Sequence, residues 1–148
     1  MADYFTITRE LAAPRSLVFE ALTLPEHFAV WFGTAAVEVP QESLSMDVRV
    51  GGAFRAVMVL PDGNRIHWAG EYVEVDPPAR LAMTLTDDPE AYAGLPVLFD
   101  LEEIEGGTRL TISQDRADFS DEQVAATIAG YNAFVDDVAA VLERLQAP

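Results

Sequence analysis

The chain has 148 residues, a formal net charge of −16, nine arginines but no lysine, and no cysteine. The missing cysteine excludes disulfides and cysteine-based zinc sites, and the acidity disfavours nucleic acid and anionic membranes as partners. The length predicts one domain over residues 1–148, and we expect it to be cytoplasmic because neither a signal peptide nor an apolar run of about 20 residues is visible.

The first elements are a strand and two short helices. Apolar and polar residues alternate over 4–11, which predicts a strand. Pro14 suits the first position of a helix, and an apolar stripe follows it. Pro25 then opens a second short helix, which Gly33 ends.

A run of strands occupies the middle of the chain. Pro61-Asp62-Gly63 predicts a three-residue hairpin loop, and its register would place Phe54, Met58 and Trp68 on one face of the sheet. A second hairpin is predicted about the glycine pair at 106–107. The predicted strands cover residues 34–39, 44–50, 53–60, 65–75, 80–86, 97–105 and 108–115.

The last stretch, residues 120–145, predicts one long amphipathic helix. Ser120 and Gln123 form a capping-box pattern at its start. Apolar residues then recur at three- and four-residue steps, so they share one face. These residues are Val124, Ile128, Tyr131, Val135, Val138, Leu142 and Leu145.

The order of strand, two short helices, strands and long helix predicts an α+β fold with an antiparallel sheet. Only a broad curved sheet could cover the apolar face of so long a helix. Such an arrangement often leaves a cavity between helix and sheet, and we expect the function to lie there.

The sequence resembles the START-like superfamily, also called SRPBCC or Bet-v-one-like, which has the helix-grip fold. Within it, the match is to single-domain proteins of the Aha type, which are similar to the C-terminal domain of the activator of the ninety-kilodalton heat-shock protein's ATPase. The segments that carry the resemblance are 13–23, Trp31, 47–52, 61–63, 70–75, 77–81 and 107–110. They span nearly the whole chain.

One departure from that pattern lies early in the last helix. Such proteins often have Gly-Trp there, whereas this chain has Gly130-Tyr131. The resemblance implies a range of roles, including lipid and polyketide binding, ring cyclisation and chaperone partnership, so it does not assign a reaction.

The candidate ligand-binding residues are mainly aromatic residues and methionines, which could line a pocket for an apolar or aromatic ligand. Each taken singly is also compatible with an ordinary core. Arg49 would anchor a ligand carboxylate only if a simple turn at Gly51-Gly52 brings it inward; a bulge would turn it outward. The candidates are Trp31, Phe54, Met58, Trp68, Met83, Phe99, Tyr131 and Arg49.

No catalytic residue, metal site or cofactor is predicted. The adjacent carboxylates, including Asp136-Asp137, are interpreted as solvated surface, and the two histidines lack metal-ligand spacing. Three functions stay open. The first is binding of a small apolar molecule, the second is a chaperone-associated interaction, and the third is a cyclase or hydrolase in which Arg49 or Tyr131 would act. The protein is expected to be a monomer or homodimer.

Overall fold

The protein is described here from a computed structural model that covers residues 3–33, 38–86 and 96–147, without the side chains of 30–33. Its helices and strands follow the predicted order. They are β1 (Tyr4–Leu11), α1 (Arg15–Thr23), α2 (Pro25–Gly33), a 3-10 turn (Gln41–Ser43), β2 (Ser45–Met46), β3 (Ala53–Val59), β4 (Arg65–Asp76), β5 (Arg80–Met83), β6 (Val97–Ile104), β7 (Gly107–Asp115) and α3 (Asp121–Gln146).

The seven strands form one antiparallel, curved sheet in the order β1-β7-β6-β5-β4-β3-β2. The first and last strands of the chain therefore pair with each other, and β2 lies at the opposite edge. The backbone of α3 lies within 8 Å of the backbones of α1, α2 and β1. This arrangement confirms the predicted α+β helix-grip architecture, in which the sheet curves around the long C-terminal helix.

The β3–β4 hairpin has the predicted register. Phe54 pairs with Gly70, and Met58 pairs with Ile66. Gly63 takes a φ of +88°, and its N–H donates to the carbonyl of Leu60 at 2.9 Å. This is the left-handed position that the turn requires of glycine.

The predicted strand at 44–50 is wrong beyond Met46. The chain turns instead, since the N–H of Asp47 donates to the carbonyl of Ala53 and the N–H of Gly52 donates to that of Arg49. Gly51 takes a φ of +85° inside this turn. Two strand residues therefore remain where seven were predicted, because the backbone groups after Met46 bond within the turn.

Other strand boundaries also differ from the predictions. Strand β5 ends at Met83 rather than 86, and β4 carries an irregularity between Tyr72 and Glu74 opposite it. The β6–β7 turn consists of residues 105 and 106, because Ile104 pairs with Gly107. Of the predicted strand 34–39, residues 34–37 lie outside the described part, as do residues 87–95.

Helix α3 begins with the predicted capping box. The hydroxyl of Ser120 accepts from the N–H of Gln123, and the Gln123 side chain accepts from the N–H of Ser120. This reciprocal pair satisfies two donors that the first turn would otherwise leave unbonded. The length and apolar composition of α3 would also suit a membrane-spanning helix, which the sequence analysis did not predict. In the structure, one face of α3 packs in the core.

The C-terminal half of α3 is more deeply buried than the N-terminal half. Val135 and Val138 are 1% exposed, whereas Val124 and Ile128 are only half-buried. Leu145 belongs to the predicted apolar face but is 41% exposed, because it lies in the last turn beyond the core. The C-terminal half of α3 therefore covers the core more completely than the N-terminal half does.

Candidate functional site: the concave face below the N-terminal half of α3

A row of residues crosses the concave face of the sheet beneath α3. Phe5 pairs with Gln114, and Met83 pairs with both Val97 and Tyr72. Leu98 pairs with Ser113, so the preceding Val97 lies opposite Gln114. Three strand spacings separate Tyr72 from Gln114, a distance of about 14 Å. We call these residues the central row: Phe5, Gln114, Val97, Met83 and Tyr72.

Four of the predicted ligand-binding residues lie in the buried core. They are 0 to 8% exposed and project from the inner face of the sheet. Met83 belongs to the central row, while the others lie on either side of it. The four are Phe54, Met58, Met83 and Phe99.

Two further predicted residues are half-buried at the edge of this core. Trp68 on β4 and Tyr131 on α3 both pack against it without being fully covered. They are therefore the members of the predicted set that remain partly accessible from outside. The backbone of Trp31 lies in α2, but its side chain is outside the described part of the chain.

Arg49 does not point into the core. Its side chain is 76% exposed, and its Nε donates to Asp47 at 2.8 Å. The turn at Gly51 produces this outward position, which is the alternative that the sequence had left open. Arg49 is therefore not positioned to anchor a ligand between α3 and the sheet.

Tyr131 connects α3 to the central row. Its hydroxyl is hydrogen-bonded to Oε1 of Gln114 on β7. Burial raises the pKa of Tyr131 well above that of a free tyrosine, so the phenol stays protonated at neutral pH. Its ring packs edge-to-face against Phe134 at a centroid distance of 6.1 Å. Because the hydroxyl already bonds Gln114, Tyr131 is poorly placed for the catalytic role considered above.

Tyr72 lies at the other end of the central row. The residue is 1% exposed, and its hydroxyl has no hydrogen-bond partner among the described residues. Its ring packs edge-to-face on Phe54 at 6.5 Å, and Phe54 packs on Phe28 of α2 at 5.2 Å. Burial raises the pKa of Tyr72 well above its ordinary value, so this hydroxyl also remains a donor.

Polar contacts fasten α3 to the edge strand β1. Arg9 donates to Oδ1 of Asp136 at 2.7 Å and to Oδ1 of Asn132 at 3.2 Å. Asp136 was interpreted as solvated surface; its side chain is 67% exposed, yet it is ion-paired. Arg9 shares the strand parity of Ile7 and Leu11, so alternation places it on the inner face, but its charge kept it out of the apolar pattern.

The sequence reasoning missed Tyr72 and Gln114. Both were predictable in principle, because extending the hairpin register two residues past Gly70 places Tyr72 inward, and Gln114 shares the parity of Ile112. Neither is a residue type that an apolar pattern selects. Among the described residues, no group of three or more His, Cys, Asp or Glu side chains could hold a metal ion.

A separate open cleft of about 530 Å³ lies where β1 leads into α1. Arg15 and Glu103 line it and approach each other to 3.9 Å. Gln146 at the end of α3 closes one side by donating to the carbonyl of Ala12 at 2.9 Å. This cleft has a mixed lining, and it lies at the opposite end of α3 from Tyr131.

Comparison with solved structures supports the fold over the whole chain. A protein from Rhodobacter sphaeroides matches with a TM-score of 0.82 and 22% identity, over 99% of this chain and 95% of the other. An AHSA1-like protein from Aeromonas hydrophila matches with a TM-score of 0.80 and 22% identity, over 97% and 94%. The AHSA1 protein from Silicibacter pomeroyi gives 0.79 and 24%, over 97% and 100%.

Sequence comparison identifies the family more directly. No curated protein matches the chain in sequence. A family description, however, matches residues 12–143, which include both short helices, the strands β2 to β7 and most of α3. The chain therefore belongs to the family of activator of Hsp90 ATPase homolog 1-like proteins.

Proposed function

We propose that this protein is a single cytoplasmic domain that binds a small apolar or aromatic molecule between the N-terminal half of α3 and the concave face of the sheet. The START-like fold to which the family belongs commonly binds ligands. The proposal does not extend to a reaction.

The observation that carries the proposal is the uneven burial along α3. Val135, Val138 and Val141 are each 1% exposed, whereas Val124, Ile128 and Tyr131 are half-buried. All lie on the apolar side of one helix. Apolar surface left partly uncovered costs free energy, so a ligand that covered it would gain about 25 cal/mol for each Å² removed from water.

The sheet offers matching apolar groups. Trp68, Ile66 and Leu85 are half-buried and pack against the core, and Ile66 pairs with the buried Met58. An aromatic platform with a flexible methionine beside it suits an apolar ligand of irregular shape, because methionine adapts its rotamer at small cost. The ligand would thus lie between Trp68 and the half-buried residues of α3.

A fluorescence titration tests this proposal. The probe is N-phenyl-1-naphthylamine, an uncharged apolar dye whose emission rises on leaving water. We expect saturable binding to the wild-type protein and at least tenfold weaker binding to Trp68→Ala, with circular dichroism confirming an unchanged fold. The matched control is Val50→Ala, because Val50 is 68% exposed and lies in the turn after β2.

Two results would count against the proposal. One is the absence of saturable binding to the wild-type protein. The other is equal weakening by both substitutions, which would indicate adsorption of the dye to exposed apolar surface.

A second candidate function is association with a chaperone, which the family description favours. Its structural support is a basic strip on the outer face of the β3–β4 hairpin, made of Arg55, Arg65 and His67. All three are exposed and have no ion-pair partner among the described residues, whereas six of the nine arginines are ion-paired. An acidic surface on a partner would complement this strip.

The ATPase rate of a purified Hsp90-type chaperone tests this second candidate. We expect the wild-type protein to raise the rate, and the double substitution Arg55→Glu/Arg65→Glu to abolish the effect. The control is Arg144→Glu, a change at an exposed arginine in the last turn of α3. An unchanged ATPase rate with the wild-type protein would reject this function.

A further inference from the structure

Tyr72 is a buried residue whose hydroxyl is not hydrogen-bonded by any described residue. Its hydroxyl is enclosed and has no hydrogen-bond partner in the described part of the chain. Leaving a buried donor unpaired costs about 1–3 kcal/mol, and buried polar groups in native proteins are rarely left so. Among the described residues, this hydroxyl is therefore a free hydrogen-bond donor that a bound molecule could engage.

The surroundings of Tyr72 define the chemistry of that partner. Its ring packs on Phe54, which in turn packs on Phe28, and Met83 is its pairing partner on the neighbouring strand β5. All of these are apolar. A molecule that enters here must be mainly apolar as well, with one polar atom at the position of the hydroxyl.

On the other side of the central row, the side-chain oxygen of Gln114 already has a hydrogen-bond donor. Because this oxygen accepts from the Tyr131 hydroxyl, neither atom of the pair needs a hydrogen-bond partner from a ligand. Met83 and Val97 lie between the two ends, are 3 and 5% exposed, and form an apolar floor. The row thus presents one unpaired donor at one end of an apolar strip.

We propose that the Tyr72 hydroxyl donates a hydrogen bond to an oxygen acceptor on the bound molecule, so that the ligand is an apolar, ring-containing compound with a carbonyl or ether oxygen at its inner end. This inference rests on the proposed ligand-binding function and adds the ligand's polar group and its orientation. Met83, in the floor of the strip, changes rotamer to admit the ring system. Met83 and Val97 are uncharged, so this strip offers no partner to a ligand carboxylate.

A matched pair of probes tests the inference. The two compounds are 2-acetylnaphthalene, which has a carbonyl, and 2-ethylnaphthalene, which has nearly the same shape without one. Their dissociation constants are measured by quenching of tryptophan emission, against wild-type protein, Tyr72→Phe and the control Tyr4→Phe. Tyr4 begins the edge strand β1, so the control removes a phenol oxygen far from Tyr72.

We expect Tyr72→Phe to weaken binding of the acetyl compound by roughly three- to tenfold and to leave the ethyl compound unchanged, which matches the net strength of one neutral hydrogen bond. Tyr4→Phe should change neither. If both compounds bind the wild-type protein and Tyr72→Phe affects them equally, the inference is overturned while the binding function stands. If neither binds the wild-type protein, both fail.

An infrared measurement gives a second readout that needs no variant. The carbonyl stretch of bound 2-acetylnaphthalene should move to lower frequency than in hexane, as it does when a carbonyl accepts a hydrogen bond. A bound carbonyl that absorbs at its hexane frequency would show that no donor reaches it and would overturn the inference.

Discussion

The hydroxyl of Tyr131 on α3 is hydrogen-bonded to the side-chain amide oxygen of Gln114 on β7. Gln114 lies on the concave face, in the same row as Met83 and Tyr72. The bond therefore fixes the half-buried end of the helix above one side of the sheet. On the other side of the row, the Tyr72 hydroxyl makes no hydrogen bond to any residue that the structure describes.

The two tyrosines of this site, Tyr72 and Tyr131, should respond oppositely to loss of their hydroxyls. Tyr131→Phe leaves Gln114 without its donor and should lower the free energy of unfolding by about 0.5–1.5 kcal/mol. Tyr72→Phe removes an unpaired polar atom and should leave stability unchanged or higher. Urea unfolding of both variants checks this. Equal destabilisation by the two substitutions would mean that Tyr72 has a partner in the folded chain.

Two glycines should show opposite effects when changed to alanine. A Cβ at Gly70 would lie 1.8 Å from the carbonyl oxygen of Thr84, so Gly70→Ala must displace the backbone of a neighbouring strand. A Cβ at Gly130 would meet nothing within 4 Å, and alanine favours a helix interior by about 0.8–1.0 kcal/mol over glycine. We expect a lower melting temperature for Gly70→Ala and a higher one for Gly130→Ala. A stabilised Gly70→Ala protein would contradict the described packing of β4.

The Thr108 side chain should contribute more to stability than an exposed threonine does. Its hydroxyl is fully buried and donates to the carbonyl of Ala13 at 2.7 Å, joining β7 to the start of α1. Thr108→Val keeps the shape but removes that donor, which should cost about 1–3 kcal/mol of unfolding free energy. Thr6→Val on the exposed face of β1 is the control. Similar small effects for both would show that the Thr108 bond contributes nothing.

The sequence predicted those parts of the fold that are set by local chemistry. Pro61, Asp62 and Gly63 specify one turn type, which fixes the whole β3–β4 register, and Ser120 with Gln123 specifies the start of α3. Because side chains alternate along a strand, that register also placed Phe54, Met58 and Trp68 on the inner face. Whether these residues bind a ligand stays a prediction.

The predictions failed where the structure depends on how separate elements are arranged relative to one another. Residues 47–50 have strand-like composition, but their backbone groups bond within a turn, and this turns Arg49 outward. The Tyr131–Gln114 bond joins two residues 17 positions apart whose contact depends on how α3 crosses the sheet. Neither the periodicity of the helix nor that of the strand contains this information.

Stability should fall at alkaline pH because of the buried Tyr72 and the half-buried Tyr131. Burial raises the pKa of Tyr72 and of Tyr131 in the folded state, whereas the unfolded chain ionises tyrosine near its ordinary value of about 10. Their contribution is complete below about pH 10 and is lost as the pH rises above it, because only the unfolded state releases these protons.

Absorbance at 295 nm measures this directly. Tyr72 and Tyr131 should ionise only as the protein unfolds, and the double substitution Tyr72→Phe/Tyr131→Phe should flatten the fall of stability above about pH 10. Ionisation of Tyr72 and Tyr131 near their ordinary pKa of about 10 in the folded protein would contradict the burial described here.

The central claim is that an apolar ligand lies between the N-terminal half of α3 and the sheet. Two-dimensional NMR of isotope-labelled protein, titrated with 2-ethylnaphthalene, tests it most directly. The account predicts saturable shifts at the indole of Trp68, the methyl groups of Ile128 and Val97, and the ring of Tyr131. Shifts confined to residues of the open cleft, such as Ala12 and Ile104, or no saturable shifts at all, would contradict it.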